Sequence, residues 1–206
     1  MDSGHAIGRP PGSSNDIHIE WRIHVLTWAA WHASRLPGDF VECGVNTGIF
    51  SLAVCDYIDF NATGKTFYLF DTYRGIPVEQ VSEGEERQGR LIENSAVYFE
   101  CFERARANFA PFPQARLVRG RVPDTFSEVE VEAVCFLSID MNIVEPEIAA
   151  ITHFWPRLVP GAPVVLDDYG WGGYGEQKAA MDDFAARQGA KVLLLPTGQG
   201  LMLKPG

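Results

Sequence analysis

The apolar positions of the chain fall into two kinds of run, and their alternation predicts helices separated by short buried strands. Over 17–34 apolar residues recur every three or four positions, which predicts an amphipathic helix with Asp16 as its cap. The recurring residues are Ile17, Trp21, Val25, Trp28 and Ala29. Continuous apolar runs over 39–44 and 66–71 predict strands that are covered by helices on both faces.

The remaining elements continue this order to the end of the chain. Further strands are predicted over 115–119, 134–140, 163–168, 191–195 and 200–203, and helices over 47–57, 95–109, 145–158 and 176–188. The glutamate-rich stretch 72–94 is predicted to be a long loop. Strands that alternate with helices form parallel sheets, whereas residues 196–199 are too few for a crossover, so the last two strands must be antiparallel. The expected fold is α/β, a doubly wound seven-stranded, mostly parallel sheet with a terminal antiparallel hairpin.

Length and composition narrow the classes of protein. The 206 residues fit one domain, expected over 16–206 after a flexible N-terminal tail over 1–15 that lacks the apolar core of a secretory signal. No apolar stretch reaches the ~18–20 residues of a membrane span, so we expect a cytoplasmic protein with no membrane partner. The net charge of -10 and the lack of any Lys or Arg run argue against a nucleic-acid partner. Four cysteines without a CxxC pair are expected to be free, buried thiols, namely Cys43, Cys55, Cys101 and Cys135.

Two strand ends predict a nucleoside-binding site. The first strand runs into a glycine turn over 42–48, and glycine lets the backbone pass close to a ligand. Asp71 ends the second strand, where α/β cofactor sites place an acid that accepts hydrogen bonds from ribose hydroxyls. An ordinary strand-to-helix turn and an aspartate that caps its own turn are the alternatives. The GxGxxG pattern is absent, which disfavours a nicotinamide-dependent dehydrogenase.

Three aspartates at the ends of two later strands predict a metal site. Asp140, Asp167 and Asp168 would repel one another in a partly buried cleft, and a hard divalent cation such as Mg²⁺ removes that penalty. The alternative is that Asp167 and Asp168 cap the glycine-rich turn that follows. That turn, over 169–175, is expected to form a flexible loop whose Trp171 and Tyr174 stack on a substrate, or else a surface turn.

Together these segments resemble the macrocin O-methyltransferase family, whose members use S-adenosylmethionine (SAM) and magnesium to methylate sugar hydroxyls of macrolide and aminocoumarin antibiotics. The matching segments are 38–45, 68–75, 120–125, 139–140, 165–170 and 197–200. The resemblance implies a SAM-dependent O-methyltransferase that acts on a small-molecule acceptor such as a sugar. It also implies that the acceptor hydroxyl is deprotonated and attacks the SAM methyl group in line, with Asp140 as the base.

The same resemblance assigns residues to each part of the site. The methionine part of SAM would lie against Glu42, Cys43, Gly44, Val45 and Asn46. The ribose and adenine side would lie against Asp71, Thr72, Tyr73, Arg74 and Gly75. Arg121 or Val122 would flank the adenine, and Ile139 would contact it from the next strand. Asp140 would border the cofactor while it holds magnesium with Asp167 and Asp168.

The chain departs from the family pattern on the acceptor side. Family members carry an Asp-Gly-Asp-Leu-Tyr-Glu pattern where this chain has residues 140–145, so Asn142 is uncharged and Val144 replaces an aromatic residue. Asn46 stands where a bulky aromatic is frequent, and the region before Gly38 is short. An acceptor other than a macrolide sugar, a metal-independent methyltransferase and a SAM-binding protein without catalysis therefore remain alternatives. The tryptophans Trp21, Trp28 and Trp31 pack on the sheet or face a second subunit, and we expect a homodimer.

Overall fold

The structure, a computed structural model, describes residues 19–206, so the predicted tail over 1–15 and the first residues of the predicted first helix lie outside the described residues. The strands are β1 (Asp39–Cys43), β2 (Phe67–Asp71), β3 (Ala115–Arg119), β4 (Val134–Ile139), β5 (Pro163–Leu166), β6 (Leu193–Leu194) and β7 (Gly200–Leu203). The helices are α1 (Glu20–Ala33), α2 (Ile49–Tyr57), α3 (Glu83–Arg87), α4 (Arg90–Val97), α5 (Phe102–Asn108), α6 (Val144–Phe154) and α7 (Gly175–Arg187).

The seven strands form one sheet in the order β3-β2-β1-β4-β5-β7-β6. The first five strands pair in parallel, whereas β7 is antiparallel to both β5 and β6. The predicted doubly wound sheet with a terminal antiparallel hairpin is confirmed. The strand order reverses between β1 and β4, and in such sheets ligands bind beyond the carboxyl ends of the strands at this switch point.

Two apolar clusters cover the two faces of the sheet. Cys43, Leu137 and Leu166 pack in one cluster, and Phe40, Phe136 and Val165 pack in the other. This alternation along β1, β4 and β5 explains why the predicted strands read as continuous apolar runs, since helices cover both faces. All four cysteines are free and buried, as predicted.

Helix α1 buries a different face from the one that the sequence predicts. Its buried residues are Ile23, Leu26, Thr27, Ala29, Ala30 and Ala33. The tryptophans lie on the other side, with 71% of Trp21, 48% of Trp28 and 43% of Trp31 exposed. Of the two alternatives for the tryptophans, the structure contradicts packing on the sheet, because small alanines let α1 pack closely against α2 and the strands and leave the large rings outside.

The predicted long loop over 72–94 is wrong in its second half, because two helices form there. Ser82 and Glu85 make a capping box: the Ser82 hydroxyl accepts from the Glu85 N–H at 3.1 Å, and the Glu85 carboxylate accepts from the Ser82 N–H at 2.8 Å. The other Glu85 oxygen accepts from the Val144 N–H at 2.7 Å. The buried Glu85 thereby joins α3 to the start of α6.

The predicted helix over 95–109 is also interrupted. Helix α4 ends at Val97 and α5 begins only at Phe102. Between them the Cys101 N–H donates to the Tyr73 carbonyl at 2.8 Å, which ties the chain to the end of β2.

In residues 19–206 no helix combines the length and the apolar character that a membrane crossing requires.

Candidate active site

A cleft of about 670 Å³ opens at the carboxyl ends of β1, β2 and β4. This volume is typical of a site for a small molecule or cofactor. The glycine turn, the segment after β2 and the aspartates all contribute to its wall. The residues assigned from the sequence that line it are Gly44, Val45, Asn46, Asp71, Thr72, Tyr73, Arg74, Gly75, Val122, Asp140, Asp167 and Asp168.

Three of the remaining assigned residues lie away from the wall that the described residues form. Cys43 and Ile139 are buried in the core beneath the cleft. Arg121 forms ion pairs with Glu79 at 2.7 Å and with Asp124 at 2.6 Å, both at the surface. A direct contact of these three side chains with adenine or methionine finds no support in this geometry.

Glu42 lies beneath the glycine turn, where it is 1% exposed. One of its oxygens, Oε2, has no hydrogen-bond partner among residues 19–206. Burial raises the pKa of Glu42 well above its usual range, and the charges of Asp167 and Asp71 raise it further. A positive charge nearby would relieve this repulsion.

Three of the strands that end at the cleft, β1, β2 and β4, are each followed by a residue in the left-handed conformation. Asn46 after β1 has a φ of 52°, Tyr73 after β2 has 55°, and Asn142 after β4 has 66°. Such residues cost conformational energy and cluster at ligand sites, where the surrounding structure fixes them. Asparagine is among the residues that adopt this conformation most readily.

The glycine turn allows β1 and β4 to approach closely at the floor of the cleft. A Cβ atom on Gly44 would lie 1.8 Å from the carbonyl oxygen of Asp140, and the backbone φ of Gly44 is +91°. The Gly44 N–H donates to the Phe70 carbonyl at 2.9 Å, and the Asp140 N–H donates to the Cys43 carbonyl at 2.8 Å. Gly44 therefore places the glycine turn next to Asp140.

Asp71 fixes the glycine turn and caps its own turn. Its Oδ2 accepts from the N–H groups of Val45 at 2.6 Å and Asn46 at 2.7 Å. Its Oδ1 accepts from the Tyr73 N–H at 2.6 Å. The Thr72 hydroxyl lies 3.3 Å from Oδ1 but donates its one proton to the Gly75 carbonyl at 2.6 Å. A carboxylate offers about four acceptor positions, so Asp71 keeps one for a ribose hydroxyl.

The structure brings the three predicted metal ligands together. Asp140, Asp167 and Asp168 each offer a carboxylate oxygen, and these atoms lie within 4.8 Å of one another. Burial raises the pKa of Asp140 well above its usual range, with Asp167 and Asp168 adding repulsion, and it raises the pKa of Asp167 to about 7. The three aspartates, called the acidic trio below, offer the hard oxygen donors that Mg²⁺ prefers, so the donor set fits this ion.

Arg22 and Gln199 contact the acidic trio, and neither residue was predicted from the sequence. Arg22 projects from α1 and pairs with Asp167 and Asp168. The Gln199 side-chain amide donates to Asp167 Oδ1 at 3.0 Å. The alanines of α1 could have indicated the position of Arg22 from the sequence. A helix that buries its alanines places Arg22 beside the core and Trp21 outside. The carboxylates of Asp167 and Asp168 thus pair with Arg22, and Asp167 also accepts from Gln199, instead of capping the glycine-rich turn that follows.

Glu147 rigidifies the loop that carries Asp140. Its Oε1 accepts from the N–H groups of Met141 at 3.2 Å and Asn142 at 3.0 Å, and from Gln177 at 3.3 Å. Burial, followed by repulsion from Asp168, raises the pKa of Glu147 to about 8. The Asn142 amide in turn donates to Asp140 Oδ1 at 3.3 Å. Asn142 therefore supports Asp140 where family members carry a second aspartate.

The aromatic residues of the loop over 169–175 are anchored to neighbouring elements. The Tyr174 hydroxyl donates to Asn142 Oδ1 at 3.0 Å, and the Arg90 guanidinium stacks on the Tyr174 ring at 3.9 Å. Trp171 lies 5.5 Å from the Arg22 guanidinium and is 49% exposed. Tyr174 lines the cleft, as predicted, whereas the part of the wall formed by residues 19–206 does not include Trp171.

Known proteins share both the sequence pattern and this architecture. The family described as macrocin-O-methyltransferase (TylF) matches residues 24–195. An 8-demethyl-8-(2,3-dimethoxy-alpha-L-rhamnosyl)-tetracenomycin-C 4'-O-methyltransferase of Streptomyces olivaceus is 30% identical over 143 residues, which are 66% of this chain and 55% of that protein. The chain thus spans about half the length of the curated relatives that it matches.

Two solved structures share the fold. The O-methyltransferase NovP is 22% identical with a TM-score of 0.76, over 90% of this chain and 80% of that one. A putative methyltransferase from Streptococcus mutans, in complex with SAH, is 14% identical with a TM-score of 0.56, over 88% of this chain and 95% of that one. Because the family match extends over most of the chain, from α1 to β6, this chain belongs to the macrocin O-methyltransferase family.

Proposed function

We propose that this chain is a SAM-dependent O-methyltransferase that is assisted by magnesium and methylates a hydroxyl of a sugar or another small hydroxylated metabolite. The observation that carries the proposal is the position of the acidic trio, whose ligand atoms lie within 4.8 Å of one another at the same cleft as the glycine turn. The S. olivaceus relative is named as a 4'-O-methyltransferase of a rhamnosyl compound, which supports a sugar-type acceptor.

The residues of the cleft divide into a donor side and an acceptor side. Gly44, Val45, Asn46 and the segment 71–75 form the wall assigned to SAM. Arg22, Tyr174, Asp167 and Asp168 line the same cleft and are assigned to the acceptor. Asp140 lies next to the donor side, because Gly44 packs against its backbone. This arrangement brings a methyl group and a hydroxyl together, and positioning of this kind supplies a large part of the rate.

The proposed reaction balances as a single transfer. The acceptor hydroxyl loses its proton to Asp140, and its oxygen attacks the methyl carbon of SAM. The new C–O bond forms as the S–CH₃ bond breaks, which yields a methyl ether and S-adenosylhomocysteine. Asn142 orients Asp140 through its bond to Oδ1. Asp140, Asp167 and Asp168 would hold Mg²⁺, which would orient the acceptor and lower the pKa of its hydroxyl.

A metal-independent methyltransferase is the second candidate, because Arg22 already brings one positive charge to Asp167 and Asp168. Incubation with SAM and a panel of rhamnosides, other glycosides and phenols, with mass spectrometry of the products, separates the candidates. The proposal predicts one added methyl group on a hydroxylated acceptor, with activity lost in EDTA and restored by Mg²⁺. Activity that EDTA leaves unchanged favours the second candidate. SAM binding without transfer to any acceptor would favour the SAM-binding protein without catalysis.

A further inference from the structure

The side chain of Arg22 reaches from the first turn of α1 into the acidic trio. Its Nε donates to Asp167 Oδ1 at 3.1 Å, and its Nη2 donates to Asp168 Oδ1 at 2.8 Å and to the Asp167 carbonyl at 3.0 Å. Nη2 also contacts Asp167 Oδ2. Charge-assisted bonds of this kind are the strong ones, and only 13% of the Arg22 side chain is exposed. Arg22 is the cation closest to the trio among the contacts of the described residues.

The same contacts occupy the positions that a metal ion needs. Asp167 Oδ1 already accepts from Arg22 and from Gln199, and Oδ2 faces Arg22. A carboxylate has about four acceptor positions in all, so Asp167 is nearly saturated. A divalent cation drawn to these oxygens would also stand beside a guanidinium of the same sign. The two cations therefore repel each other and seek the same ligands.

We propose that Arg22 is the resident counter-ion of the acidic trio and that a divalent cation displaces it from Asp167 and Asp168. This inference rests on the proposed metal site. Displacement would free the start of α1, which the bonds from Arg22 join to the end of β5. Ile19 and Arg22 belong to the cleft wall, so their release widens the acceptor side. Magnesium binding and opening of the cleft are then coupled through one side chain.

Calorimetric titration of Mg²⁺ into the full chain tests the competition. Arg22→Gln removes the guanidinium, and Arg35→Gln is the matched control, since Arg35 follows the same helix, is exposed, and stacks on Trp31 at 3.3 Å. We expect Arg22→Gln to bind Mg²⁺ about tenfold more tightly than wild type, because the metal no longer competes with charge-assisted bonds. Arg35→Gln should bind as wild type does. Unchanged or weaker binding by Arg22→Gln overturns the inference, because Arg22 would then only orient the ligands.

Hydrogen exchange on the wild-type chain gives a readout that needs no variant. Saturating Mg²⁺ should accelerate amide exchange in the first turns of α1, with α6 unchanged as the internal control. Magnesium that binds without altering exchange in α1 overturns the inference and leaves the proposed metal site intact. Failure of wild type and both variants to bind Mg²⁺ removes the metal site itself, and the inference with it.

Discussion

Replacement of Gly44 by alanine should be among the most destabilising single changes in the sheet. The new Cβ would lie 1.8 Å from the Asp140 carbonyl oxygen and 2.4 Å from its carbonyl carbon, and both are backbone atoms that cannot rotate away. The ends of β1 and β4 must therefore separate. The bond from the Asp140 N–H to the Cys43 carbonyl joins these two strand ends and would stretch with it.

The magnitude follows from three contributions. A non-glycine residue in the left-handed region costs about 1–2 kcal/mol. The weakened backbone hydrogen bond costs about 1 kcal/mol, and overpacking adds about 1–3 kcal/mol. The expected loss for Gly44→Ala is thus about 3–6 kcal/mol, against a typical total stability of about 5–15 kcal/mol.

Gly89→Ala is the matched control. Gly89 has a φ of +87°, close to the +91° of Gly44, but an added Cβ would meet no atom within 4 Å. It should therefore lose only the conformational part, about 1–2 kcal/mol. Gly44→Ala should therefore melt roughly 4–16 °C below Gly89→Ala, and urea unfolding should show the same order of stability. Equal losses in the two variants would refute the reasoning, because the close approach of β1 and β4 would then have no energetic weight.

Two other changes test the supports of the site. The folded-state pKa of Glu147 is about 8, above the ordinary 4.5. The stability of wild type should therefore fall as pH rises from about 4.5 to about 8, by at most about 5 kcal/mol. Glu147→Gln should flatten this pH dependence, because the glutamine does not titrate. Urea unfolding at pH 5 and pH 9 measures this, with the exposed Glu128→Gln as control, and an unchanged pH slope in Glu147→Gln would count against the buried, protonated carboxyl. Ser82→Ala removes half of the capping box and should cost about 1 kcal/mol. A melting temperature equal to that of wild type would show that α3 needs no cap.

The sheet and most of the cleft were predictable because they depend on local patterns. Apolar runs that end in Asp71 and Asp140 place those residues at the carboxyl edge, and the short link between β6 and β7 fixes their antiparallel pairing. The capping box of α3 was also present as Ser82 and Glu85, and the glutamate-rich composition concealed it.

Contacts between distant segments were not predictable in this way. Arg22 meets Asp167 across 145 positions of the chain, so no spacing pattern reveals the pair. The orientation of α1 is set by how closely its alanines pack, and hydrophobicity alone favoured the tryptophan face. The burial of Cys43 and Ile139 follows from the strand pleat, which directs alternate side chains away from the cleft.

The central claim is that one cleft holds SAM beside a metal at the acidic trio. Calorimetric titration of SAM and of Mg²⁺ into wild type and Asp168→Ala tests it most directly. We expect wild type to bind both ligands. We expect Asp168→Ala to keep SAM binding but to lose the heat of Mg²⁺ binding. Failure of wild type to bind SAM, or SAM binding with no heat from Mg²⁺, would contradict this claim.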